Sequence, residues 1–275
     1  MTAQEFWSGW WWPAATAVLG LVFAWLVFDQ WLHRRKPHQA AWSVGLLMYA
    51  VAAMMEAWSE FSGHWDPTVY RIYIVLAASM VGFLGLGSYY LLAKKPTGPH
   101  VYLGMILGWE IVFVWGVFNT ELVADKLVPG ITVGGQALGD AASFPRVMSL
   151  PFNISGTIFL LGGALVSIWR FARKREYAYR MWANVLIALG TILIAAAGGI
   201  ARAGVTAGLY PAEMLASAIL LAGFLMAGTL DKGAREAVRH GRARSQHDAD
   251  ARRDANARHA AESSAEEEPR PHVTP

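Results

Sequence analysis

Cysteine is missing from all 275 residues of the chain. Its absence excludes disulfides, thiolate-bound metals, iron–sulfur clusters and cysteine nucleophiles. Charge is scarce as well, because Asp, Glu, Lys and Arg together make up only 16% of the sequence. There is no phosphate-binding glycine loop ending in Lys-Ser or Lys-Thr, so P-loop nucleotide chemistry has no basis. Ser59, Ser62, Ser79 and Ser88 lack the glycine context of a nucleophile elbow, and no Ser/His/Asp set is evident.

Where charge is missing, apolar residues run long. Seven such stretches occupy residues 10–32, 39–61, 69–92, 101–118, 150–168, 181–200 and 211–230. Most approach or exceed the roughly 20 helical residues needed to cross a hydrocarbon core of about 30 Å. Lipid offers no hydrogen bonds to a bare backbone, so each stretch is expected to cross as a helix. The expected fold is therefore an all-α, polytopic bundle of seven transmembrane helices.

The scarce charges also orient the chain. Basic residues crowd into Arg34-Arg35-Lys36, Lys94-Lys95, Arg170 to Arg180 and the tail after Asp231, whereas the alternate loops hold only Arg71, Lys126, Arg146 and Arg202. The positive-inside rule then places the N-terminus outside and the C-terminus in the cytoplasm. The first stretch does not read as a cleavable signal: Glu5 precedes it, no basic segment does, and its apolar run is too long. Trp7, Trp10, Trp11 and Trp12 suit an interfacial belt at its outer end. The expected location is the plasma membrane, by this pattern a bacterial inner membrane.

The organisation that follows is a membrane domain over residues 1–231 and a charged, largely disordered cytoplasmic tail over 232–275. The longest loop, 119–149, lies outside in this topology, and Gly130, Gly134, Gly135 and Gly139 alternating with Ile131, Val133 and Leu138 suggest a small hairpin capping the bundle.

An internal repeat is suggested by three matched features. Pro13 and Pro151 open the first and fifth stretches, and each of those ends in a basic loop followed by Trp42 or Trp182. Gly82-Phe83-Leu84-Gly85-Leu86-Gly87 in the third stretch is echoed by Gly223-Phe224-Leu225-Met226-Ala227-Gly228 in the seventh. The implied plan is a three-helix unit used twice in parallel, with the fourth helix as linker. That plan resembles the architecture of the sugar-transporting SWEET and PQ-loop proteins, and the seven-span count resembles microbial rhodopsins. No Pro-Gln dipeptide occurs, however, and no lysine lies between Pro211 and Leu230 to hold retinal. The resemblance extends to architecture alone.

Charges inside hydrocarbon cost at least about 2.5–3.5 kcal/mol each, so each requires a partner or a wet cavity. Glu56, Glu60 and His64 recur every four residues and share a helical face. After the Trp65-Asp66-Pro67 turn come Tyr70, Arg71 and Tyr73, and a short antiparallel connection is expected to bring Arg71 to Glu60 or Glu56 as an ion pair. The fourth stretch adds Trp109 and Glu110, with Trp115 beyond. The candidate ligand-binding set is Glu56, Glu60, Arg71 and Glu110 for charge, with Tyr70, Tyr73 and Trp109 as walls. Arg202 and Glu213 form a second candidate pair. A carboxylate left without a fixed cation in this set can carry a proton.

Glu60, His64 and Asp66 form the best metal-ligating set, and it is thin, with one histidine and none other at ligand spacing. His33, His38 and His100 read as interfacial polar residues, so no haem site is expected and no cofactor is implied. Gly104 and Gly108 make a GxxxG step, and with Gly82, Gly85, Gly87, Gly198 and Gly199 they are expected to mark packing faces.

The function these features suggest is non-enzymatic: binding, with the option of transporting, a small solute, ion or lipid in an outward-facing acidic and aromatic cavity. The alternative is a membrane sensor or a non-catalytic subunit of a larger complex, meeting a protein partner through the external loop or tail. A metal-dependent membrane hydrolase is a third reading. Membrane lipids are expected partners and nucleic acid is not, since the basic loops report orientation and anionic headgroups.

Overall fold

The computed structural model describes residues 9–129, 135–172, 178–202 and 208–226. The chain divides into a unit over Met1–Ala227 and a second over Gly228–Pro275. The charged tail falls in the second and lies outside the described residues. Among the described residues every regular element is helical: α1 (Trp11–Arg34), α2 (Pro37–Ser62), α3 (Pro67–Leu92), α4 (Thr97–Asn119), a short α5 (Phe144–Met148), α6 (Leu150–Ala172) and α7 (Ala178–Arg202). A last helix, α8 (Leu209–Met226), completes the bundle.

Among the described residues six helices are long and apolar enough to cross a membrane, with α5 and α6 together supplying one of them. The expected sixth span, 181–200, falls within α7, whose apolar run among the described residues is shorter, Met181–Ile194. The breaks between helices have local causes. Arg35 adopts a left-handed conformation after α1 (φ 51°) and Gly63 does the same after α2 (φ 72°). Pro37 and Pro67 open the next helices, where a missing N–H costs nothing. Asp66 caps α3, its carboxylate accepting from the Thr68 and Val69 amides at 2.8 and 3.0 Å.

Long helices that follow one another in the chain alternate in direction. Gly20 of α1 meets Ala50 of α2, while Trp10, just before the first, reaches Phe61 of the second. Trp42 pairs with Leu84 and Glu56 with Tyr73, which sets α2 antiparallel to α3. α6 runs parallel to α3, with Gly82 on Phe152, Gly85 on Gly156 and Gly163 on Ser88. α8 lies antiparallel to both α2 and α7, through Tyr49–Ser217 and Gly190–Leu220. The Arg34–Lys36, Lys94–Lys95 and Arg170 regions therefore share one end, the basic end.

Glycines set the closest approaches. A Cβ on Gly85 would sit 2.5 Å from the Gly156 Cα, and one on Gly87 would sit 2.1 Å from the Trp42 ring. The GxxxG step of α4 behaves differently from expectation. Nothing lies within 4 Å of a Cβ built on Gly104 or Gly108, because α4 is peripheral and turns that face outward with Met105 and Ile111. Gly198 and Gly199 lie where side-chain surroundings are not described.

The described parts of the 119–149 segment cap the bundle with helical turns, Ala124–Lys126 and Gln136–Leu138, followed by α5. It doubles back through one bond, Val123 N–H to Ala137 O at 2.8 Å. Of the small hairpin that the sequence suggests, residues 130–134 lie outside the described residues, and the flanking parts are 3₁₀ turns. Ala137 and Leu138 are fully buried against Tyr70 and Ile74, so apolar burial anchors this cap.

Candidate functional site

Two polar clusters and two cavities stand out. The first cluster joins α2, α3 and α8. Glu56 and Tyr73 are both buried, and the Tyr73 hydroxyl donates to Glu56 Oε1 at 2.5 Å. One turn along α2, Glu60 Oε1 accepts from Tyr210 at 2.7 Å. Tyr49, two turns earlier on the same face, shares a 2.6 Å hydrogen bond with Ser217 and donates to the Glu213 carbonyl at 3.4 Å. The Glu213 carboxyl is within electrostatic reach of Glu56. Three carboxyl groups and three tyrosines thus converge, and phenolic hydroxyls satisfy two of the acids directly.

Sequence spacing found Glu56, Glu60 and Tyr73 but missed Tyr49, Tyr210 and Ser217. The signal was present. Tyr49, Glu56 and Glu60 follow heptad-like steps along one face, and Tyr210, Glu213 and Ser217 follow three- and four-residue steps along another.

Arg71 does not join this cluster. Its guanidinium donates to the Val117 carbonyl at 3.2 Å and to the Thr120 carbonyl at 2.8 Å. These carbonyls end α4, where intrahelical donors run out and a cation is favoured. The expected Arg–carboxylate pair is therefore replaced by a helix cap. The proposed Arg202–Glu213 pair rests on a side chain outside the described residues.

The second cluster joins α3 and α4. Fully buried Ser79 donates to Glu110 Oε2 at 2.6 Å. Neighbouring Trp109 points elsewhere, its indole N–H donating to the Met148 carbonyl at 2.8 Å. Tyr70 packs edge-on against Trp65 and at a tilt against Tyr73, and it receives the Ala137 amide on its hydroxyl at 3.3 Å. Tyr70 is a core residue beneath the cap. The residues expected to wall one pocket thus serve three separate contacts.

The metal candidates also part company. Asp66 caps α3, His64 Nδ1 lies 3.2 Å from the Ser62 carbonyl, and Glu60 meets Tyr210. Among the described residues no three His, Cys, Asp or Glu side chains are placed to hold a metal ion.

The smaller cavity, about 70 Å³, lies under the cap between Tyr73, Ile74, Leu138 and Arg146. Arg146 is engaged there, donating to the Gly139 carbonyl at 3.0 Å. The larger, about 110 Å³, lies toward the basic end, with walls from α1, α2, α3, α6, α7 and α8. No ionisable side chain lines it. Comparison of the chain with protein families, characterised proteins and solved structures gave no match.

Proposed function

We propose that the chain is a seven-span carrier built from two parallel helix triplets, α1–α3 and α6–α8, with α4 as linker. In this reading it binds a small solute between the triplets and moves it without chemical conversion. The N-terminus lies outside, the basic end faces the cytoplasm, and the setting is a plasma membrane of the bacterial inner type.

The observation that carries the reading is the matched lining of the larger cavity. Within the first triplet, Gly45 packs on the Leu84 side chain and the Met80 carbonyl; within the second, Gly190 packs on Leu220 and the Ala216 carbonyl. Matching these glycine contacts makes Trp42 equivalent to Ile187, Leu84 to Leu220 and Ser88 to Phe224. Across the triplets, Phe23 packs on Phe224 and Gly163 packs on Ser88, which makes Phe23 equivalent to Gly163 and Val27 to Ser167. All ten of these residues line the cavity. A site on the axis between parallel repeats is where carriers of this plan hold their solute.

This register differs from that of the tryptophans and the glycine-rich motifs in the sequence. Trp182 and Gly223-Phe224-Leu225 are displaced by more than one helical turn from the partners those motifs suggest. Small residues recur often enough in apolar helices to align by composition alone, whereas a packed glycine fixes the register.

The opposite side of the bundle is held shut by bonds between the triplets, Tyr49–Ser217 and Glu60–Tyr210. Exchange of these bonds would let one triplet rock against the other. The carboxyl–tyrosine cluster then serves as gate, and as a route for a proton, in place of the acidic binding cavity expected from sequence. A proteoliposome assay tests the reading: uptake of at least one member of a panel of small solutes, or of protons, supports it. No movement across the whole panel would discredit it.

A further inference from the structure

We infer that the 110 Å³ cavity is a binding site for a small uncharged amphiphile, an apolar ring or short chain bearing one hydrogen-bonding group, with Ser88 as its polar anchor. The inference deepens the carrier reading and borrows its meaning from it, but the binding itself is measured without transport.

Size comes first. A cavity of this volume is comparable with the roughly 150 Å³ apolar cavity that takes up benzene. It is too small for an oligosaccharide, a nucleotide or a bulky lipid headgroup. Charge comes next. The walls are mostly Leu, Ile, Val, Phe, Trp42 and small residues; Ser88, Ser167 and Asn184 are the polar side chains, and Asp, Glu, Lys, Arg and His are absent from the lining. An ion entering them would lose its hydration with no countercharge, a cost far above what the apolar contacts return. The ligand must be neutral.

Ser88 supplies the specificity. The residue is buried, 5% exposed, and lines the cavity. A helical serine ordinarily returns its hydroxyl to the carbonyl four residues back, which here is that of Leu84. The Trp42 indole N–H already donates to that carbonyl at 3.1 Å. Among the described residues the Ser88 hydroxyl has no hydrogen-bond partner of its own. The hydroxyl lines the cavity, and a ligand oxygen or nitrogen there would supply the bond that the helix does not. Gly163 faces it from α6, where a Cβ would come within 3.3 Å of the Ser88 Cβ. That glycine leaves room beside the hydroxyl.

The test uses the full-length protein in detergent with benzyl alcohol as probe, and toluene, benzoate and benzylammonium for comparison. Binding is read by saturation-transfer NMR and by the ligand-dependent shift in Tm. Saturable binding of benzyl alcohol is expected, weakened about fivefold by Ser88→Ala while toluene binding stays unchanged. Benzoate and benzylammonium should not saturate. Ala164→Leu should abolish binding by filling the cavity; if that variant does not fold, Ser167→Leu fills it from a half-exposed position.

Saturable binding that survives both filling variants would overturn the site. Equal binding of the charged probes would overturn the ligand class, and so would indifference to Ser88→Ala, which would instead mark a cavity for lipid tails. Binding as expected with no solute flux in proteoliposomes would sink the carrier reading and leave the site standing.

Discussion

Tyr73 donates its phenolic hydrogen to Glu56 at 2.5 Å, and both side chains are buried between α2 and α3. The bond spans the bend at Gly63–Asp66 and holds together two helices that are adjacent in sequence. Tyr73→Phe removes the donor and keeps the ring. The buried carboxyl is then left short of a partner, at a cost of about 1–3 kcal/mol. A lowered Tm of the purified protein should show it. Glu56→Gln, which keeps an acceptor, should lose less.

Arg71 and Glu60 should behave as independent residues. Arg71 serves the end of α4 and Glu60 serves Tyr210. The stability losses of Arg71→Ala and Glu60→Ala are therefore expected to add within about 0.5 kcal/mol in a double-mutant cycle. A coupling energy well above that would restore the ion pair that the sequence suggests.

The helical geometry explains why the pair was the natural expectation and why it fails. Short connections correctly imply that α2 and α3 are antiparallel neighbours, which brings Glu56 and Tyr73 within reach. A helix turns about 100° per residue, however, so residues two apart face nearly opposite directions. With Tyr73 turned to Glu56, Arg71 must face away, toward α4. Helix positions were legible because apolar runs and Pro and Gly boundaries are local properties. Which helix faces which is not local. The sequence offered Glu110 and Trp109 as one pocket, but adjacent residues diverge, one to Ser79 and the other to Met148. The register of the proposed repeat rests likewise on packed glycines, not on the glycine-rich motifs themselves.

Glycine substitutions should separate packed faces from open ones. Gly85→Ala and Gly156→Ala each force a methyl into backbone, the latter within 2.2 Å of the Val81 carbonyl. Each should cost about 1–3 kcal/mol or more, since two rigid helices must part. Gly104→Ala and Gly108→Ala meet nothing within 4 Å and should be neutral, or stabilising by about 0.5–1 kcal/mol through helix propensity. Thermal unfolding of the four variants checks the contrast.

Removing residues 232–275 should leave solute binding and flux intact, because every residue of the proposed site lies before Ala227. A sensor or complex subunit that works through its tail would lose function instead. Flux and partner capture on the truncated chain decide between the two.

The absence of native cysteine makes a direct test of the carrier mechanism free of background labelling. Single cysteines are placed at Ser88, in the cavity toward the basic end, and at Ser217, in the closed Tyr49 contact. A membrane-impermeant maleimide is then applied from each side of the membrane. The expected result is reciprocal: Ser88→Cys reacts from the cytoplasmic side while Ser217→Cys is protected, and conditions that expose Ser217→Cys to the outside protect Ser88→Cys. Simultaneous labelling of both from one side, or a Ser217→Cys that never reacts under any condition that drives flux, would contradict alternating access between the two triplets.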